Sequence, residues 1–220
     1  MAALTIGDDA PNFTALTTEG EINFHDWIGD DWAVLFSHPR NFTPVCSTEL
    51  GYMASIKPEF DKRGVKIMGL SVDPIENHEK WIEDIKDIAG FAPNYPIIAD
   101  TDFNVAKSYG MLPQDVTGDP TERTPAMNGT LRNVFVVGPD KKIKLVLIYP
   151  MTTGRNFDEV LRVIDSLQLT ANEQVATPAQ WQPGEDVIIA GSVSDEAAKE
   201  KYPDGWGGAR PYIRTVPAPK

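Results

Sequence analysis

The chain has 220 residues, 41% of them hydrophobic and 24% charged, and a formal net charge of -12. Those values suit a soluble globular protein with one full domain and an appendage. The acidic balance argues against nucleic acid and anionic lipid as partners, and no run of about 18 apolar residues is present to span a membrane.

The start, MAALTIGDDAPNF, lacks the basic and apolar regions of a secretory signal. WAVLFS, Trp32 to Ser37, is a short apolar run of the kind buried on both faces of a sheet. Leu50, Met53, Ile56 and Phe60 then recur at helical spacing, and Lys62-Arg63-Gly64 reads as a helix end. VKIMGLSV, Val65 to Val72, predicts a second buried strand, and Pro74 to Gly90 an amphipathic helix opening at a proline. Tyr95 to Asp100 predicts a third strand and DFNVAKSYG a short helix. NVFVVGPDKKIKLVLIYP reads as two strands joined at Gly138-Pro139-Asp140, and Asn156 to Thr170 as a closing amphipathic helix. This order predicts an α/β sandwich, a mixed sheet flanked by helices. Six of the 18 prolines come after Thr170, so residues 171–220 are expected to form a small loop-rich domain after a main domain of 1–170. That second part has few evident core residues and is expected to lean on the main body or on a partner.

Cys46 is the only cysteine. It cannot form an internal disulfide, and a reducing compartment, the cytoplasm, is the expected location. Three scattered histidines and one cysteine give no metal-ligand spacing, so neither a metal nor a bound cofactor is expected. Thr43-Pro44-Val45-Cys46 looks like a helix start. Thr43 suits the N-cap, with its hydroxyl accepting an early backbone N–H, and Pro44 suits the first helical position. Cys46 then sits in the positive end of the helix dipole, where a thiolate is favoured, with Arg40 close by in sequence. Glu49, one turn on, is expected to face a cation or a backbone donor. The same cysteine also fits a small buried hydrophobe, and His78 reads as a solvated helix residue.

PRNFTPVC fits the P-x-x-x-T-x-x-C signature of peroxiredoxins at Pro39, Thr43 and Cys46. The wider SHPRNFTPVCSTELG resembles the one-cysteine branch, the peroxiredoxin 6 subfamily, as do GDDAPNF, FVVGPDKKIKL, YPMTTGRNFDEVLRVIDSLQLT and VATPAQW. The resemblance implies a thioredoxin-like fold and a thiol peroxidase acting on hydrogen peroxide and on organic or phospholipid hydroperoxides. In that scheme Cys46 is the peroxidatic cysteine, Thr43 hydrogen-bonds the sulfur and the peroxide, Pro39 shields the pocket and Arg132 supplies a second cation. His38 would line the pocket, Arg155 would orient the cage, and either residue could equally be structural. The resemblance further implies reduction by an external thiol such as glutathione, delivered by a glutathione S-transferase, and a homodimer.

The subfamily also carries a phospholipase A2 activity whose serine lies in a G-D-S-W element. Here the element reads GDDW, Gly29 to Trp32, with Asp31 in the serine's place, although His25 and Asp140 match its partners. A carboxylate cannot serve as the serine nucleophile, so that activity is expected to be absent or weak. The rival to a peroxidase is a redox sensor or chaperone using the same thiol.

Overall fold

The computed structural model describes residues 3–113 and 129–219. Its elements are β1 (Thr14–Thr17), β2 (Gly20–Asn23), α1 (Phe24–Ile28), β3 (Trp32–Ser37), α2 (Pro44–Asp61), β4 (Val65–Ser71), α3 (Ile75–Ala89), β5 (Ile97–Ala99), α4 (Asn104–Ser108), β6 (Arg132–Val137), β7 (Ile143–Tyr149), α5 (Phe157–Asn172), β8 (Val175–Ala176), β9 (Val187–Ile189), α6 (Asp195–Lys201) and β10 (Thr215–Val216). They divide into two compact units, 1–155 and 156–220.

In the first unit seven strands form one mixed sheet in the order β2-β1-β5-β4-β3-β6-β7. The continuous apolar runs of β3 and β4 lie at its centre, paired in parallel from Trp32 opposite Val65 to Ser37 opposite Leu70. β6 runs antiparallel beside β3, with Phe36 opposite Val134. Alternation along the strands sends Leu35, Leu70 and Phe135 to one face, where they pack with Phe24 and Ile28 of α1 and Val105 and Ala106 of α4. α2 and α3 pack together and touch β4 and β5 respectively. Their approach is close: a Cβ on Gly51 would lie 2.2 Å from that of Ala89. Tyr95 ties this layer to the sheet by donating its hydroxyl proton to the Leu50 carbonyl at 2.9 Å.

The second unit starts at α5, which Asn156 caps by accepting from the N–H groups of Asp158 and Glu159. The change of composition put that helix with the main domain. In the structure it groups with the C-terminal residues, because it contacts β8 and Leu169 packs on the second unit's apolar cluster. That cluster also corrects the expectation of few core residues. Val175, Trp181, Val187, Ile189, Val193, Ala198 and Val216 are all buried around a three-stranded sheet, β10-β9-β8. The strands are two or three residues long, too short to show the alternation that reveals a strand in sequence.

Candidate active site

β3 ends at Ser37, and the chain then turns through Pro39 and Phe42 into α2. Thr43 stands at the N-cap with extended φ and ψ, and Pro44 opens the helix. The cap differs from the sequence expectation in one respect: the Thr43 hydroxyl makes no capping bond and instead donates to the Arg40 carbonyl at 2.9 Å. The tight turn before the helix brings that carbonyl within reach, so the hydroxyl proton is used there. Its oxygen keeps acceptor lone pairs. Cys46 is third in the helix and fully buried. The N–H groups of Val45 and Cys46 belong to the first turn, which has no intrahelical acceptors to satisfy them.

The antiparallel pairing of β3 with β6 brings the start of β6 to this helix end. Ser37 locks the junction, donating its hydroxyl to the Leu131 carbonyl at 2.7 Å and accepting the Asn133 N–H at 3.1 Å. Arg132 between them reaches Cys46 Sγ with Nη1 at 3.3 Å and Glu49 Oε2 at 2.7 Å. Its Nε and Nη2 both donate to the Met151 carbonyl, at 2.9 and 2.6 Å. Arg155 holds Glu49 from the other side: Nε donates to Oε1 at 2.9 Å, Nη2 to Oε2 at 2.8 Å, and its backbone N–H to Oε1 at 2.9 Å. The remaining Nη1 donates to the Asn133 carbonyl at 2.8 Å, and the guanidinium lies 5.4 Å from the Phe36 ring centroid.

Glu49, Arg132 and Arg155 thus form a buried ion cluster, with side chains 3%, 4% and 1% exposed. One carboxylate between two guanidiniums leaves a net positive charge beside the sulfur. Burial of these ions is tolerable because both guanidiniums clamp the carboxylate and their remaining N–H groups donate to the Met151 and Asn133 carbonyls.

Pro39 is half-buried and Arg40 exposed. Pro39 is backed by Gly129, where a Cβ would lie 2.4 Å from the Pro39 carbonyl oxygen. Thr130 next to it donates to the His38 carbonyl at 2.9 Å. Sequence reasoning missed Gly129, whose role exists only once two distant loops touch. It also misread His78, which is fully buried rather than solvated. His38 is fully buried as well, and burial first, then the charges of Arg155 and Arg132, push its pKa down to about 3 against the bonding to Asn41.

The three positions matching a lipase triad have other partners. Asp31 pairs with Lys66 at 3.1 Å, His25 Nε2 meets the Ala10 carbonyl at 2.8 Å, and Asp140 binds Lys144 at 2.6 Å. Among the described residues no group of three or more His, Cys, Asp or Glu side chains is placed to hold a metal ion.

Two family models match the chain: the AhpC/TSA family over residues 6–146 and the C-terminal domain of 1-Cys peroxiredoxin over 166–205. Peroxiredoxin-6 of Gallus gallus is 50% identical, with both chains covered in full. A crystal structure of peroxiredoxin 6 of Arenicola marina superposes with a TM-score of 0.90 at 50% identity, over 99% of this chain and 100% of that one. A structure of the yeast mitochondrial 1-Cys peroxiredoxin gives 0.86 at 52% identity, over 97% and 99%. With the signature of the α2 N-terminus, the fold and both parts of the chain in agreement, this is a peroxidase that belongs to the AhpC/TSA peroxiredoxins, in their one-cysteine, peroxiredoxin 6 branch.

Proposed function

We propose that the protein reduces hydrogen peroxide and organic hydroperoxides, those of phospholipids included, through Cys46, in antioxidant defence and redox homeostasis. The observation that carries this reading is Arg132 Nη1 at 3.3 Å from Cys46 Sγ within the buried ion cluster. The thiolate attacks the terminal oxygen of the hydroperoxide. An S–O bond forms as the O–O bond breaks, and the departing oxygen takes up a proton to give an alcohol or water and a sulfenic acid. Arg132 and the first-turn N–H groups of α2 stabilise the charge that builds on the two oxygens. Thr43, its own proton held by Arg40, serves as an acceptor for the peroxide O–H.

Cys46 has no second cysteine in the chain to resolve the sulfenic acid. An external thiol must attack it, releasing water and leaving a mixed disulfide that a second thiol reduces. The yeast relative's thiol is resolved via glutathione/thioredoxin systems, and we carry glutathione over as the reductant here, with a glutathione S-transferase as the delivering partner. The solitary thiol fits a reducing compartment such as the cytoplasm. β7 is an edge strand whose Ile148 is 56% exposed. Such an edge is normally covered, which supports a homodimer. Phospholipid ester hydrolysis is expected to be absent or weak, since Asp31 is no nucleophile of the required kind.

The deciding experiment is stopped-flow decay of hydrogen peroxide with the reduced protein and its Cys46→Ser variant. A fast bimolecular reaction, lost in the variant and leaving a dimedone-trappable sulfenic acid, is expected. A rate no better than that of a free thiol overturns the reading in favour of a sensor or chaperone.

A further inference from the structure

Behind the ion cluster, a closed ring of hydrogen-bonded groups, buried and neutral except for the half-buried Asp73 carboxylate, joins the loop before Cys46 to the turn between β4 and α3. His38 Nε2 lies 2.9 Å from Asn41 Oδ1, and Asn41 Nδ2 lies 3.0 Å from His78 Nδ1. An amide oxygen only accepts and an amide nitrogen only donates, so the two contacts fix a direction. His38 carries its proton on Nε2, and His78 receives a proton at Nδ1 and carries its own on Nε2, 3.4 Å from Ser71 Oγ. Ser71 donates to Asp73 Oδ2 at 3.0 Å, and the same carboxylate oxygen accepts the backbone N–H of Asn41 at 2.9 Å. The ring therefore returns to Asn41.

It closes around a strained point. Phe42, next in the chain, has φ +54, a left-handed conformation disfavoured for a bulky residue and sustained only where the surroundings impose it. A second path leads from His38 to the helix. Its ring packs 5.3 Å from that of Trp81, whose Nε1 donates to Ser47 Oγ at 3.3 Å, and Ser47 in turn donates to the Thr43 carbonyl at 2.9 Å. His38 Nδ1 is buried with no hydrogen-bond partner among the described residues.

We propose that Asn41 and His78 are positioning residues for the peroxide reaction: they hold His38 as the Nε2–H tautomer with Nδ1 bare, and they hold the Phe42 turn so that the first turn of α2 presents Cys46 to Arg132. Neither residue touches Cys46 or the ion cluster in any contact described above, and each acts through His38 and the turn. The charged groups facing the pair are Arg155 and Arg132 on the His38 side and Asp73 on the His78 side. Burial pushes both imidazoles down to about 3, so the direction of the relay is constant across neutral and mildly acidic pH.

The proposal rests on the peroxidase reading, and its test separates the two. Stopped-flow peroxide rates are measured for wild type, Asn41→Ala, His78→Ala and His78→Gln, alongside imidazole ¹⁵N spectra. Displacement of reacting groups predicts a loss of about tenfold or more in Asn41→Ala and His78→Ala at temperatures where both remain folded. The Oε1 of glutamine accepts from Asn41 Nδ2, so His78→Gln is expected to recover to within about threefold of wild type. Asn41→Asp removes the donor, so His78 must turn a protonated Nδ1 toward residue 41. Its ¹⁵N spectrum should show that change, and its rate should gain an imidazole titration between about pH 5 and 8, seen as a difference from the wild-type pH profile. Rates within about twofold of wild type in both alanine variants, with only thermal stability lowered, would mean packing alone and overturn the proposal. So would a His78→Gln no better than His78→Ala, or unchanged ¹⁵N shifts in Asn41→Asp. A slow wild type would instead defeat the peroxidase reading, while the spectra still decide the tautomers.

Discussion

Glu49, Arg132 and Arg155 carry charges in a site with almost no exposed surface. A few residues away His38, Asn41 and His78 are just as buried and carry none. The first cluster tolerates burial by matching ions, two guanidiniums clamping one carboxylate with its sulfur neighbour in reach. The second tolerates it by shedding charge and threading neutral donors into neutral acceptors. The division fits the chemistry, since charge belongs where an anion reacts, whereas a group that only holds geometry is best left unable to titrate. The two clusters should therefore fail under different challenges.

Glu49→Gln is expected to break the charged cluster most severely. It leaves two buried guanidiniums with no anion between them, a loss of about 3–5 kcal/mol by analogy with other broken buried pairs. Urea unfolding should show a lower midpoint with little change of slope, and peroxide reactivity should fall with it. A midpoint within the range of surface substitutions would show that the cluster is not a matched set. Arg132→Lys comes next. Lysine keeps the charge but cannot reach the sulfur, Glu49 and the Met151 carbonyl together. Loss of a preorganised donor at the reacting atoms is expected to lower the peroxide rate constant by about 10²–10³-fold, which stopped-flow measures directly. A change under about threefold would remove Arg132 from the reacting site.

The neutral cluster should fail in acid. Burial pushes His38 and His78 down to about 3 from an ordinary 6.5. Between those values the unfolded chain takes up protons that the folded chain refuses. The associated stability is fully present above pH 6.5 and is lost as pH falls toward 3, at up to about 1.4 kcal/mol per pH unit for each histidine. Denaturant titrations from pH 7.5 to 4.5 should show this slope, and His78→Gln should remove about half of it. A flat profile would mean that the two rings are protonated in the folded state.

How much of this could be read in the residues depended on distance along the chain. The apolar run of β3 and the Thr43-Pro44 start of α2 are local signals, and both elements begin where the sequence puts them. Arg132 lies 86 residues from Cys46. Nothing local marks it out from any other arginine at the head of a strand, and only the β3–β6 pairing, or a family resemblance, brings the two together. The bond between Asn41 and His78 spans 37 residues and needs β4 to lie beside β3 before it exists. His78 was misread for that reason: its helix presents it to a polar pocket that the helical pattern alone cannot show. Thr43 failed in a finer way. Its position was legible, but the choice between capping the helix and bonding Arg40 is decided by the path of the turn.

Asp31→Ser addresses the remaining contrast, between the assembled cysteine site and the three lipase-like positions, and its expected effect is the smallest. Asp31 and Lys66 form a pair 46% and 39% exposed. Its loss should change stability by no more than about 1 kcal/mol, as for surface ion pairs generally. The variant restores the G-D-S-W pattern, yet a serine needs a base with a free nitrogen aimed at its hydroxyl and an orienting group behind that base. His25 Nε2 is held by the Ala10 carbonyl and Asp140 by Lys144. Hydrolysis of a phospholipid ester should therefore stay undetectable in the variant, while peroxide reduction continues at the wild-type rate. Measurable ester turnover in Asp31→Ser would show that His25 leaves Ala10 readily, and that a single side chain separates this protein from hydrolase chemistry.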